Sequence, residues 1–513
     1  MTLMRNDSAN DYAKRVRLAL GVDGYPSGAP FGPGESYPEL AAAPWAQKAE
    51  APNAVYGAVR QLLVGMKLDS ERFGTPQWNP LGGLVPVGGR VTIKPNMVRH
   101  WNGGDTGTWR SVVVHWSVVR PLIDYALLAV GPAGRVTVGD ASHWDCDMSR
   151  LEQMLEVPAF REHYAKTAPD RTAFVDFRPE WFDVAGPVKG EPIQLAGDPQ
   201  GYVVSELGSY SMFHDPKLNP ALFYGSGYDN RTTVRSHTEG RNQYLIAGSA
   251  LKCDLFINVP KLKTHHLLGI TVAMKNLVGI NGDKNYLPHF RLGFVDEGGD
   301  QYPNRSFSLQ TRLMILRRVM PLLARRPGLR RAWGRALGMF HKAGGKNPYA
   351  GGSWIGNDTV WRMALDLNRV LLYSKEDGTV SPGPQARRYL TVVDGIIAGD
   401  GEGPMEPHDR ATGALIAAGH PLACDLVAAQ AMGFDTSLLK LCAEGLKSHP
   451  LPLDPVRRPE DLDLAMLDLG GASSWNQVAW EDLPNWSFEP PVGWREAVRR
   501  PPALAVGFGA RRA

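Results

Sequence analysis

Two short β-rich runs, RVTIK at residues 90–94 and RVTVG at 135–139, flank an apolar stretch at 111–130 whose polar residues recur at helical spacing. A strand, a helix and a strand over that distance form a βαβ unit, and its two strands must lie parallel. This pattern constrains the fold more than any other feature of the chain. Ligands of open α/β sheets sit at the carboxyl ends of the strands. Lys94 and Asn96 follow the first run and Asp140 closes the second, so all three are candidate site residues.

The remaining elements extend the pattern. A helix is expected over 149–165, strands over 172–177, 202–207 and 255–259, and a helix over 358–373 begun by Asn357 or Asp358. A strand at 389–393 leads into GIIAGDGEGP, read as a glycine-rich loop carrying Asp394, Asp400 and Glu402. A strand at 412–418, a helix at 422–432 carrying Asp425 and a strand at 464–467 complete the series. The expected class is α/β, with a largely parallel or mixed sheet flanked by helices and two lobes around a cleft. For 513 residues this means two to three domains, or one large domain with insertions. The segments are an N-terminal extension (1–85) with short helices at 11–20 and 53–66, a core in two parts (86–297 and 352–480), a helical insertion (298–351) and a Pro/Trp-rich tail (481–513).

The densest chemistry lies in residues 257–289, INVPKLKTHHLLGITVAMKNLVGINGDKNYLPH. Lys261, Lys263, Lys275 and Lys284 alternate there with apolar residues and glycines. Ammonium groups beside glycine-rich backbone suit a phosphate or carboxylate; a solvated basic face is the alternative. His265, His266 and His289 can serve as bases or ligands, or as hydrogen-bonded loop residues, and their spacing matches no specific zinc motif. Asp394, Asp400, Glu402 and Asp425 suit a hard divalent cation, although Gly-Asp pairs also build turns. In His143-Trp-Asp145-Cys146-Asp147 the aspartates are read as caps of the following helix.

From Arg305 to Lys346 there are eleven Lys or Arg and no Asp or Glu; without them the net +4 of the chain becomes −7. The basic charge is therefore local. Helices with Leu, Met, Trp and Phe among these cations suit an anionic membrane surface, or a helical hairpin with a solvated arginine face. A bulk charge of +4 gives no reason to expect nucleic acid. There is no apolar run of membrane-spanning length, and the first residues lack the apolar core of a signal peptide. The expected location is the cytoplasm, with peripheral contact at the inner membrane. Cys146, Cys253, Cys424 and Cys442 are widely spaced with no CxxC pair, so no thiolate-built cluster is expected.

Taken together, IKPNMV (93–98), VTVGDAS (136–142), INVPKLKTHHLLGITVAMKNLVG (257–279), Lys284, His289, VVDGIIAGDGEGP (392–404) and ALIAAGHPLACDLVAAQAMG (414–433) resemble the bacterial and archaeal family called domain of unknown function 362. The resemblance places Lys94, Asn96, Asp140, Lys261, Lys263, His265, Lys275, Asn276, Asp394, Glu402 and Asp425 at the family's motif positions. Some members carry ferredoxin-like cysteine clusters; this chain departs from that pattern, so no iron–sulfur cluster is expected.

The expected function is an enzyme acting on a small anionic substrate with a divalent metal. Lys94, Asn96, Lys261, Lys263, Lys275 and Asn276 would bind the anion, and His265 and Asp394 would be catalytic. Asp140, Asp394, Glu402 and Asp425 would hold the metal. A non-catalytic anion-binding protein and a membrane-surface interaction protein are the alternatives.

Overall fold

The computed structural model describes residues 9–184, 189–225, 230–305, 349, 351–383, 387–472 and 474–495. The basic segment 305–346, with its two expected helices, lies outside the described residues apart from Arg305.

One sheet of eleven strands organises the chain. In chain order they are β1 (Arg15–Leu20), β2 (Arg90–Pro95), β3 (Arg135–Asp140), β4 (Thr172–Asp176), β5 (Leu255–Val259), β6 (Lys261–His265), β7 (Gly269–Thr271), β8 (Arg388–Glu402), β9 (Glu406–Ala418), β10 (Asp463–Asp468) and β11 (Asn476–Gln477). The spatial order is β11-β10-β1-β9-β8-β5-β2-β3-β4, with β6 pairing β8 and β7 off the main path. Strands β8, β5, β2, β3 and β4 run parallel. Strand β9 is antiparallel to both β8 and β1. The sheet is therefore mixed, and both expected parts of the core contribute to it. The expected βαβ unit is present, with the helix Trp116–Val130 between β2 and β3.

Alternate residues feed two cores on opposite faces. Val16 and Leu18 join one and Ala19 the other; Val393 joins the first, Leu390 and Val392 the second. The helices Ala54–Gly65 and Trp116–Val130 cover the second face. Helices Val360–Tyr373 and Pro421–Met432 cover the first. The segments expected as helical at 53–66, 111–130, 358–373 and 422–432 each overlap one of these four helices.

Two local expectations change. The first concerns residues 11–20, expected as a helix. A helix at Ala9–Lys14 gives way to β1, which sits inside the sheet between β9 and β10. RVRLAL alternates, and buried Arg15 and Arg17 both bond Asp463. The N-terminal segment is therefore part of the sheet.

The second concerns GIIAGDGEGP, which is not a loop but the continuation of β8 into a hairpin with β9. Gly399 permits close approach rather than turning the chain. A Cβ on Gly399 would lie 2.7 Å from both the Lys263 Cβ and the Ser111 carbonyl oxygen.

Candidate functional site

Strands β2, β3 and β5 deliver polar side chains at adjacent carboxyl ends, where a parallel α/β sheet places its ligands. Lys94 Nζ lies 2.9 Å from Asp140 Oδ1 and donates to Asn276 Oδ1 at 2.7 Å. The other Asp140 oxygen accepts from Met97 N at 2.7 Å, which fixes the turn leaving β2. Asn276 is the hub of this corner. Its Oδ1 also accepts from Asn96 Nδ2 at 3.0 Å, and its Nδ2 donates to Asn258 Oδ1 at 2.7 Å and to the Lys94 carbonyl at 3.3 Å. An amide with both ends occupied holds one orientation, and through it Lys94 holds one position.

Gly279 lets this corner close. A Cβ there would collide with Asp140 Oδ1 and with Lys94 Cε and Nζ. Gly279→Ala is therefore expected to lose about 1–3 kcal/mol of unfolding free energy, the usual range for overpacking, and to bind anions less tightly. Urea unfolding and an anion titration of the variant check this; wild-type values in both would refute the assignment.

The short helix Ala273–Asn276 carries Lys275 and Asn276. Its first N–H groups are held by Asp425, whose Oδ1 accepts from Ala273 N at 2.7 Å and whose Oδ2 accepts from Met274 N at 3.2 Å. Burial pushes the Asp425 carboxyl up to about 8, against the pull of these backbone donors. Asp425 thus positions Lys275 and Asn276.

These elements surround a cavity of about 460 Å³, lined by Lys94, Asn96, Arg99, Asp140, Lys263, His265, Lys275, Asn276 and Lys284 among others. Asp140 is the single carboxylate among its lining residues, against four lysines and Arg99. Lys263 donates to the Val112 carbonyl at 2.6 Å, and Lys284 to the carbonyls of Val278 and Asn281 at 2.7 and 3.1 Å. Burial and then neighbouring Lys261, Lys275 and Lys94 hold the Lys263 amine well below its ordinary value. Lys275 is pushed down to about 7 by burial and Lys94. Lys284 reaches about 7 through burial, opposed by Asp140.

Four imidazoles also line the cavity: His143, His265, His266 and His289. Burial holds each below its usual value, and all are neutral near pH 7. Their tautomers differ. His265 Nδ1 accepts from Leu267 N at 3.0 Å, so its proton sits on Nε2. His289 Nδ1 bonds the Leu287 carbonyl at 2.9 Å and must carry the proton, leaving Nε2 with a lone pair. His143 Nδ1 lies 2.5 Å from Asp145 Oδ1, and Asp145 Oδ2 is 2.5 Å from Arg99 Nη2. The cavity therefore holds both a neutral N–H donor and imidazole acceptors.

The sequence reading took Asp145 as a helix cap. Asp147 does cap, accepting from Arg150 N at 3.2 Å, but Asp145 orients His143. The available signal was position: His143 follows β3 by three residues, at the same strand end as Asp140.

Several candidates lie elsewhere. Lys261 and Asp394 form a buried pair at 2.9 Å outside the cavity lining. Asp394 also accepts from Tyr25 Oη at 2.7 Å and from His115 N at 2.9 Å. It sits among the N-terminal elements, so the expected pairing of His265 with Asp394 is not formed. Glu402 accepts from Val492 N at 2.7 Å and ties the β8–β9 hairpin to the C-terminal segment. Asp400 pairs with Arg410 at 2.8 Å. Asp140, Asp394, Glu402 and Asp425 thus occupy four separate surroundings. Among the described residues no group of three or more His, Cys, Asp or Glu is arranged to hold a metal ion. All four cysteines are buried and unpaired.

No helix among the described residues is long and apolar enough to cross a membrane. Neither the curated proteins nor the solved structures contain a match to this chain. A family model does match, and its span takes in Lys263, His265, Lys275, Asn276, Lys284 and His289, while Lys94, Asn96, Asp140 and His143 lie before it. Over residues 203–430 the chain matches the model of the family described as Domain of unknown function (DUF362).

Proposed function

We propose that the cavity binds a small anion bearing phosphate or carboxylate groups, and that the protein is an enzyme acting on it. One observation carries this reading. Lys94, Arg99, Lys263, Lys275 and Lys284 line a single cavity; Asp140 pairs with Lys94 and Asp145 with Arg99, which leaves Lys263, Lys275 and Lys284 with no paired carboxylate among the described residues. Buried cations are costly unless paired, and here they crowd together. An anion in the cavity supplies the missing partner and restores the protons that burial drives off. Asn96 and Asn276 fix the corner against which the anion rests.

The imidazoles extend the reading from binding to catalysis. His265 offers Nε2–H to a developing negative charge, and His289 or His143 offers a lone pair to a proton in flight. This assigns the base role to imidazoles inside the cavity. A divalent metal, if used, would enter with the anion rather than on the four dispersed carboxylates.

The test is calorimetric titration with inorganic phosphate, pyrophosphate and citrate. Saturable one-site binding is expected for at least one of them. Lys263→Met should weaken it roughly 10–100-fold, since a hydrogen bond to a charged group is worth about 1.5–3 kcal/mol. Lys263 bonds no carboxylate, so its loss strands no buried charge. Absence of heat and of thermal stabilisation with all three anions would sink the proposal.

A further inference from the structure

Three of the four cavity lysines already have partners. Lys94 bonds Asp140 and Asn276, while Lys263 and Lys284 bond backbone carbonyls. Lys275 has no hydrogen-bond or ion-pair partner among the described residues, although its side chain is buried. A buried ammonium with no partner is unstable relative to the neutral amine. The surroundings act in the same direction: burial comes first and Lys94 second in holding the amine at about 7, and Lys275 in turn acts on His265, His266 and His289. A desolvated lysine beside another cation is a nucleophile at neutral pH. This one is also held in place, on a short helix whose first N–H groups are bonded by Asp425.

We propose that Lys275 is an amine nucleophile that forms an imine with a carbonyl compound bearing an anionic group, of the 2-oxo acid class. The inference rests on the anion-binding reading of the same cavity. Lys263 and Lys284 take the anionic end and leave the carbonyl to Lys275. Its Nζ lone pair attacks the carbonyl carbon, a C–N bond forms, and the C–O π pair moves to oxygen. His265 Nε2–H hydrogen-bonds that oxygen, and the Nε2 of His289 relays the proton leaving nitrogen. The two hydrogens of the amine end on the oxygen, which departs as water when the C=N bond forms. Atoms and charge balance, and no oxidant or reductant enters the step.

The experiment incubates the full-length chain at pH 7.5 with glyoxylate, pyruvate or 2-oxoglutarate, traps any imine with cyanoborohydride, and maps labelled lysines by peptide mass spectrometry. One reduced adduct at Lys275 is expected with at least one acid, ahead of exposed lysines such as Lys166 and Lys447. It should be suppressed by excess phosphate or citrate and be absent from Lys275→Arg. The wild-type map decides the matter without the variant. Lys275 left unlabelled by all three acids, or labelled no faster than the exposed lysines, overturns the imine. If phosphate or citrate still binds by calorimetry in that case, the anion site survives. Labelling of Lys275 that neither anion suppresses supports the imine and removes the anion site.

Discussion

Replacing Asp394 by alanine is expected to lower the unfolding free energy by about 3–5 kcal/mol, the cost of stranding a buried charge. Asp394 and Lys261 are both fully buried, with Nζ and Oδ2 2.9 Å apart. The carboxylate also satisfies the Tyr25 hydroxyl and the His115 backbone N–H. Truncation leaves an ammonium, a hydroxyl and an amide without their acceptor in one place. The buried pair itself is not a large net source of stability, because desolvation offsets much of the Coulomb attraction. Lys261→Met combined with Asp394→Leu should therefore recover most of what Asp394→Ala loses. Urea unfolding of the three variants measures this. The cavity lies elsewhere, so the folded fraction of Asp394→Ala should bind phosphate or citrate as the wild type does. A loss below about 1 kcal/mol, the scale of an exposed pair, would contradict the burial assigned here.

The second large effect is on pH dependence. Lys275 and Lys284 both titrate at about 7 in the empty cavity, and an anion binds the protonated forms. If both protons are required, the competent fraction falls from about one quarter at pH 7 to about one part in 120 at pH 8, a drop of about thirtyfold in apparent affinity. Affinity is thus highest below pH 7 and falls above it, with proton uptake on binding. Asp140 moderates the drop by favouring charged Lys94 and Lys284, while Lys94, Lys275 and Arg178 add to it at Lys284. His143, His265, His266 and His289 remain neutral over this range. The sign for the empty protein is opposite. The unfolded chain binds protons at lysines up to about pH 10.4 that the folded chain has shed at about 7. Stability without ligand should therefore rise with pH across that window. Calorimetry in two buffers of different ionisation enthalpy reads the proton uptake directly. An affinity flat from pH 6 to 9 would refute the titration of these lysines.

Much of the frame was legible in the sequence because it rests on periodicity. The β2–helix–β3 unit and the helix over 360–373 follow from patterns that tertiary context reinforces. Lys94, Asn96 and Asp140 were found because a βαβ unit dictates where its strands end. What was missed follows from pairings that no local pattern carries. Glycine is ambiguous between turning a chain and admitting a neighbour, and Gly399 does the second. Lys261 and Lys263 are two residues apart, yet the first faces Asp394 and the second the cavity, with a register shift in the pairing between them. The role of Asp425 depends on Ala273 N, 152 positions away. His143 was visible, but its tautomer and its orientation by Asp145 required coordinates.

The placement of β1 bears on how the chain is made. Arg15 meets Asp463 across 448 positions, so β1 leaves the ribosome long before the partner strand that carries Asp463. At about 5–20 residues per second that interval is about 20–90 s. Throughout it, RVRLAL is an apolar strand without neighbours, the kind of segment that recruits other nascent chains. Arg15 and Arg17 interrupt it with charge at alternate positions, which disfavours stacking against a second copy. The same two arginines later close onto Asp463, so they guard the strand during synthesis and fasten it once the sheet is complete.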